Sequence, residues 1–188
     1  MFSILEKERI LYAKSILEVR LEPLLNDINE NYDGDSQLDF WVSGGCIASI
    51  LQGAKINDID VYFNNEITGK TVKDLYIFRK PNEIVDVNPK YQDLEVNGKM
   101  VTSNAVTLKN GIQIITKHYG SPAEVRKTFD YKHCLPYYDC KTKQLFISVE
   151  QYALCVGKIL DVNNPNAVTQ HRKQKFLDRG YVECTTGN

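Results

Sequence analysis

Phe40-Trp41-Val42-Ser43-Gly44-Gly45-Cys46-Ile47-Ala48-Ser49-Ile50-Leu51-Gln52-Gly53, with Asn57-Asp58-Ile59-Asp60-Val61-Tyr62-Phe63 close behind it, is the stretch that decides the fold of this chain. Leu38, Phe40 and Val42 alternate with Asp39, Trp41 and Ser43, the period of a strand. That strand runs into Gly44-Gly45 and a short helix, which Gly53 is placed to end. Such a turn leaves the first N–H groups of the helix without intrahelical acceptors and sets the positive end of its dipole where a phosphate can sit. In the second strand, alternation sends Asp58 and Asp60 to one face and Ile59 and Val61 to the other, so two carboxylates converge without a loop to position them. Converging carboxylates repel unless a cation lies between them. A pair of Mg²⁺ ions meets that need, because Mg²⁺ takes oxygen ligands and bridges to phosphates.

The flanking sequence reads as helices before and after a sheet. Ser3 and Glu6 have capping-box spacing, and Ile4, Leu11, Ile16 and Leu17 follow at roughly helical spacing. Pro23 is expected to open a second helical segment, with Leu24, Leu25 and Ile28 as its buried side, broken by Asp33-Gly34-Asp35-Ser36. Two short elements are expected at Leu75 to Phe78 and at Ile84 to Val87. Asn110-Gly111 between apolar runs marks a hairpin. Ser121-Pro122-Ala123-Glu124 starts a short helix that stops near Thr128. Phe129 to Leu135 alternates and is rich in aromatic residues, so a strand is expected, with Lys143 to Ile147 as its partner. Ser148 and Gln151 start a helix through about Leu160, and Asn164-Pro165 starts a last helix that Gly180 ends.

A chain of 188 residues suits one domain, here with a helical lead-in over about 1–32 and a helical segment over about 148–180. With 43% hydrophobic and 25% charged residues, and no apolar run of bilayer length, it is expected to be soluble and to have no membrane partner. Glu6, Lys7, Glu8 and Arg9 leave no apolar core for a secretory signal, and five cysteines without a C-x-x-C pair argue against a disulfide framework or a zinc site. A cytoplasmic location is expected. The net charge of -1 excludes a protein that coats nucleic acid by electrostatics alone, yet Arg172, Lys173, Lys175 and Arg179 make the last helix locally basic. Arg172, Lys175 and Arg179 share a face, from which Arg172 and Lys175 can reach phosphates; Lys158 is a weaker candidate for the same role. His133 and Cys134, alternating along the expected strand, are read as packing residues, and so are Tyr131, Tyr137 and Tyr138. His118 and His171 receive no role.

The order of glycine pair, carboxylate pair and single carboxylate, from Gly44-Gly45 through Asp58-Ile59-Asp60 to Phe129-Asp130, resembles the DNA polymerase beta-like nucleotidyltransferase superfamily. Thr102 to Leu108, Ile112 to Ile115, Phe129 to Cys134 and the basic run Arg172 to Tyr181 also resemble small nucleotidyltransferase-like proteins of tailed bacteriophages. The resemblance implies an α+β fold with a polymerase-beta-like nucleotidyltransferase core, a mixed twisted sheet flanked by helices. It also implies Mg²⁺-dependent transfer of a nucleoside monophosphate from an NTP to an acceptor hydroxyl, with release of pyrophosphate. Ser43, Gly44 and Gly45 match the triphosphate-binding turn, Asp58 and Asp60 the metal-bridging pair for two Mg²⁺ ions, and Asp130 the third carboxylate. Asp139, nine residues on, is its rival.

Family members with polymer substrates carry a further domain for the acceptor, for which this chain leaves little room. A tRNA or other RNA 3′ end, a small molecule and a protein side chain therefore all stay open as acceptor, and a phage-encoded protein would act in the host cytoplasm. The alternative from another class is a catalytically retired NTP-binding regulatory protein, or a phage structural protein, with the same fold.

Overall fold

Helix α1 (Ile4–Asn31) begins at a capping box in which Ser3 Oγ accepts from the Glu6 N–H and the Glu6 carboxylate accepts from the Ser3 N–H. The structure, a computed structural model, describes residues 1–32, 39–86, 94–96 and 99–184. α1 runs through Pro23 unbroken, which corrects the expectation of a second helix starting there. Packing supplies the reason. Ala13, Leu17, Leu21, Leu24 and Ile28 form one buried stripe that continues past Pro23, and the carbonyl deprived of its N–H belongs to the exposed Val19, where water can satisfy it. Leu38 and the break expected at Asp33 to Ser36 lie outside the described residues.

The central motif follows. β1 (Phe40–Ser43) enters α2 (Gly45–Leu51), and β2 (Ile59–Phe63) leads to α3 (Glu66–Asp74), capped by Asn65. The first of the two short elements expected next is a π-helical turn over Leu75–Arg79 that prolongs α3, and a 3₁₀ turn spans Pro81–Glu83. Ile84 then makes a single bridge to Leu108, and Val87 lies outside the described residues. β3 (Leu94–Val96) and β4 (Lys99–Val101) pair as a separate ribbon. β5 (Ala105–Thr107) and β6 (Ile112–Tyr119) form the hairpin marked by Asn110-Gly111, with Gly111 at φ +86°.

After α4 (Pro122–Val125) with its Ser121 capping box, the expected strand over Phe129–Leu135 is absent. The segment turns instead: Tyr131 makes one bridge to Val162, and Lys132–Cys134 form a 3₁₀ turn. Its backbone is satisfied from outside the sheet, the Asp130 carbonyl accepting from the Asn163 N–H at 2.7 Å and the Phe129 carbonyl from Asn163 Nδ2 at 2.8 Å. β7 (Tyr137–Asp139) takes the place in the sheet, and β8 (Gln144–Phe146) pairs with it rather than with 129–135. α5 (Val149–Gly157) stops short of Leu160, because Lys158 turns left-handed at φ +52° and β9 (Ile159–Leu160) begins. Asn164-Pro165 opens only a 3₁₀ turn over Pro165–Ala167; the last helix, α6 (Gln170–Leu177), is capped by Thr169, and β10 (Val182–Glu183) pairs with β9.

The main sheet has six strands in the order β5-β6-β2-β1-β7-β8, mixed because β2 and β6 run parallel while its other neighbours are antiparallel. Alternation divides it into two faces. Phe40, Val42, Ile59, Val61, Phe63, Ile112, Ile114 and Tyr138 enter the main core together with the buried residues of α1 and α2. Trp41, Ser43, Asp60, Tyr62, Gln113 and Tyr137 take the opposite face. There Trp41 stacks on Tyr62 at 4.5 Å, and the 122–129 segment covers the pair with Val125 and Phe129. Asp60, Tyr62 and Gln113 of this face line an open cleft. No helix among the described residues is long and apolar enough to cross a membrane.

Candidate active site

An open cleft of about 490 Å³ lies on the second face, lined among others by Gly44, Gly45, Asp58, Asp60, Asp130, Arg172, Lys175 and Arg179. Gly44 sets its geometry. It sits at φ +96°, and a Cβ there would lie 3.0 Å from Asp60 Oδ2, so only glycine lets the turn lie against that carboxylate. Gly44, the N-cap of α2, has no side chain to cap the helix.

The carboxylate pair is electrostatically strained. Burial first, and the Asp58 carboxylate second, push Asp60 up to about 7, against the opposing pull of Arg172 and Lys175. Such a pair fits a divalent cation, which would relieve both causes at once. Asp58 and Asp60 are the residues that would hold it. Among the described residues no three His, Cys, Asp or Glu side chains come together as a metal cluster.

Asp130 is engaged elsewhere. Its Oδ2 accepts from Arg172 Nε at 2.6 Å, and its Oδ1 accepts from Arg172 Nη2 at 3.1 Å and from the Tyr131 N–H at 3.0 Å. The Asp130 side chain is only 4% exposed, and the carboxylate holds the Arg172 guanidinium at the edge of the cleft. The rival Asp139 does not line the cleft; its Oδ1 accepts from the Lys141 and Thr142 N–H groups and shapes the β7–β8 turn.

Ser43 is brought to the motif but not to the cleft. It is fully buried, and its hydroxyl faces the Cys134 and Pro136 carbonyls at 2.9 and 2.7 Å, tying β1 to the 134–136 segment. Lys158 is likewise spent, donating to the Arg179 carbonyl at 3.0 Å. Arg172 and Lys175 line the cleft as the helical spacing indicates, and neither Lys175 nor Arg179 has an acidic partner among the described residues. His133 packs, but within a 3₁₀ turn among Tyr131, Phe176 and Tyr181 rather than on a strand. Tyr131 and Tyr138 are core, and Tyr137 stacks on Phe146 at 4.7 Å.

Sequence reasoning missed several lining residues: Tyr62, Gln113, Lys117, His118 and Phe129. Tyr62 was available from the Asp60 face by alternation. Gln113 and His118 depend on the parallel pairing of β6 with β2, which no local signal announces. Burial and the neighbouring Lys117 lower the His118 imidazole, favouring its neutral form.

Comparison with known proteins places this geometry. A family model described as Gabija anti-defense 2 family protein matches residues 15–154. A relative, Gabija anti-defense 2 of Bacillus phage SPbetaL7, is 26% identical over 145 residues, covering 75% of this chain and 33% of the relative. The chain thus spans about a third of that relative's length. Among solved structures, the Thermotoga maritima CCA-adding enzyme complexed with tRNA matches 92% of this chain and 40% of its own at a TM-score of 0.57 and 16% identity. The Bacillus stearothermophilus CCA-adding enzyme in complex with CTP matches 89% of this chain and 41% of its own at a TM-score of 0.52 and 14% identity. At those identities the likeness establishes the fold, an α+β mixed sheet flanked by helices like that of CCA-adding nucleotidyltransferases.

Proposed function

The chain belongs to the Gabija anti-defense 2 family, and from that premise and the cleft's geometry we propose that it is a divalent-cation-dependent nucleotidyltransferase serving a phage against the Gabija defence. The observation that carries the reading is the contact at Gly44, where an uncapped helix start and a strained carboxylate pair meet in one cleft. The polymerase-beta-like pattern of glycine pair and carboxylate pair supports it. The chain acts as one nucleotidyltransferase unit, with α1 backing the sheet and the 148–180 segment supplying the cationic wall.

In this reading the α2 amides and the Gly44-Gly45 turn seat the triphosphate, and Arg172 and Lys175, joined by Arg179, neutralise its outer phosphates. Asp58 and Asp60 would hold Mg²⁺, for which the resemblance implies two ions, and the metal would supply charge neutralisation at the α-phosphate and favour ionisation of the attacking hydroxyl. Asp130 acts by positioning Arg172. The acceptor oxygen bonds to the α-phosphorus, the bond from that phosphorus to the bridging oxygen breaks, pyrophosphate leaves and the hydroxyl proton passes to solvent. Candidate acceptors are an RNA or tRNA 3′ end, a small hydroxylated molecule, or a protein of the host defence. The setting is the host cytoplasm.

The test is incubation with Mg²⁺ and each radiolabelled NTP in the presence of host RNA, or of host protein, comparing wild type with Asp58→Ala plus Asp60→Ala. Label transferred by wild type alone supports the reading. A second reading, nucleotide binding without turnover, is favoured by one observation, the three hydrogen bonds that the Asp130 carboxylate accepts from Arg172 and the Tyr131 N–H. It predicts Mg²⁺-dependent NTP binding with no pyrophosphate released.

A further inference from the structure

We propose that Gln113 supplies the third protein oxygen of the cation site, the place that the resemblance gives to Asp130, so that the site takes its cation together with the nucleotide. The inference rests on the reading of Asp58 and Asp60 as cation ligands. Gln113 stands beside Asp60 in the parallel register of β2 and β6, and a single row on the functional face runs Thr107, Gln113, Asp60, Ser43 across four strands. Both Gln113 and Asp60 line the cleft.

The direction of the Gln113 amide points to a cation. Beside a carboxylate, a side-chain amide is expected to turn its NH₂ toward the negative oxygens. Here Gln113 Nε2 instead donates to Thr107 Oγ1 at 3.3 Å, on the strand away from Asp60. Its Oε1, the other end of the same amide, receives no hydrogen bond among the described residues. Two carboxylates and an amide oxygen that line one cleft are poor company for one another, whereas around a hard cation all three are ligands, amide carbonyls being ordinary oxygen donors to such ions. Asp130 cannot serve there without giving up its paired bonds to Arg172 and exposing a buried carboxylate in the process.

The substitution of a neutral oxygen for a third carboxylate has a chemical consequence. The protein contributes two negative charges to the ion rather than three, and the triphosphate supplies the balance, so binding to the free protein is weak and strengthens with nucleotide. The experiment is titration of the full chain with Mn²⁺, followed by electron paramagnetic resonance, with and without a non-hydrolysable NTP analogue. Without nucleotide, Gln113→Glu is expected to tighten Mn²⁺ by about tenfold or more and Gln113→Leu to weaken it several-fold, because a full charge and a ligand are respectively added and removed. Asp130→Asn is expected to leave Mn²⁺ affinity within about twofold, since that carboxylate is not a ligand. Thermal melts of each variant separate misfolding from lost ligation. Wild-type affinity in Gln113→Leu, with a large loss in Asp130→Asn, would overturn the inference while leaving the cation site intact. Wild-type affinity in Asp58→Ala plus Asp60→Ala would instead overturn the reading on which it rests.

Discussion

Arg172 and Asp130, distant in sequence, are joined by two hydrogen bonds of 2.6 and 3.1 Å between one guanidinium and one carboxylate. Their burial is unequal: the Asp130 side chain is 4% exposed and the Arg172 side chain 43%. Removing the arginine strands a carboxylate in the interior, whereas removing the acid leaves a guanidinium that water can reach. Arg172→Ala is therefore expected to cost about 3 kcal/mol of stability. Asp130→Asn, which keeps the shape and one acceptor oxygen but turns an NH₂ toward an N–H donor, should cost less, about 2 kcal/mol. Urea denaturation of both variants checks the order, and a larger loss in Asp130→Asn would contradict it.

The two glycines of the turn are not equivalent. A Cβ at Gly44 meets Asp60 Oδ2 at 3.0 Å on a backbone with φ +96°, while a Cβ at Gly45 meets nothing within 4 Å. Gly44→Ala should cost about 1 kcal/mol or more from its backbone conformation, and it should also displace Asp60. Gly45→Ala should fold as wild type does. Circular dichroism melts and Mg²⁺-dependent NTP binding are the readouts. The expected result is loss of both in Gly44→Ala and unchanged stability in Gly45→Ala.

What the sequence made legible was what local chemistry enforces. β1, the Gly44 turn, α2 and β2 follow from alternation and glycine, the β5–β6 hairpin from Asn110-Gly111, and the cap of α4 from Ser121 and Glu124. The misreadings arose where distant partners decide. Phe129 to Leu135 has the alternation of a strand, but Asn163 and the 160–164 segment take its backbone bonds and curl it into a turn. Pro23 carries a helix-start signal that the apolar stripe of α1 overrides. Gln113 carries no signal of its own, because its place beside Asp60 exists only once β6 lies parallel to β2.

His133 makes stability depend on pH. It is fully buried, neither ring nitrogen has a hydrogen-bond partner among the described residues, and burial pushes its imidazole down to about 4. The unfolded chain binds the proton at about pH 6.5, well before the folded one. The contribution of neutral His133 is thus complete above about pH 6.5 and is lost as the pH falls toward about 4, to a total of about 3 kcal/mol. His133→Phe keeps a ring among Tyr131, Phe176 and Tyr181 and removes the proton site. Urea midpoints measured from neutral pH down to about pH 5 should fall for wild type and stay nearly level for the variant. Parallel slopes would assign the acid sensitivity to other groups.

Asp60 has the opposite linkage, and a cation should reverse it. Its folded carboxyl is pushed up to about 7, above the ordinary value of 3.8, so the folded state holds the proton more tightly than the unfolded one. In metal-free protein the ionised form is therefore a cost that is absent below about pH 4 and grows as the pH rises through about 7. A divalent cation bound by Asp58 and Asp60 removes that cost by favouring the charged form, and it must displace the proton to bind. The stabilisation by Mg²⁺ over EDTA, read as a shift in melting temperature, should accordingly be small at about pH 5 and large at about pH 8. Asp60→Asn should melt higher than wild type in EDTA at the higher pH, because it carries no charge to bury, and should gain nothing from Mg²⁺. If the Mg²⁺ shift instead proved equal across that range, the cation would be binding away from the strained pair, and Asp58 and Asp60 would lose their proposed role.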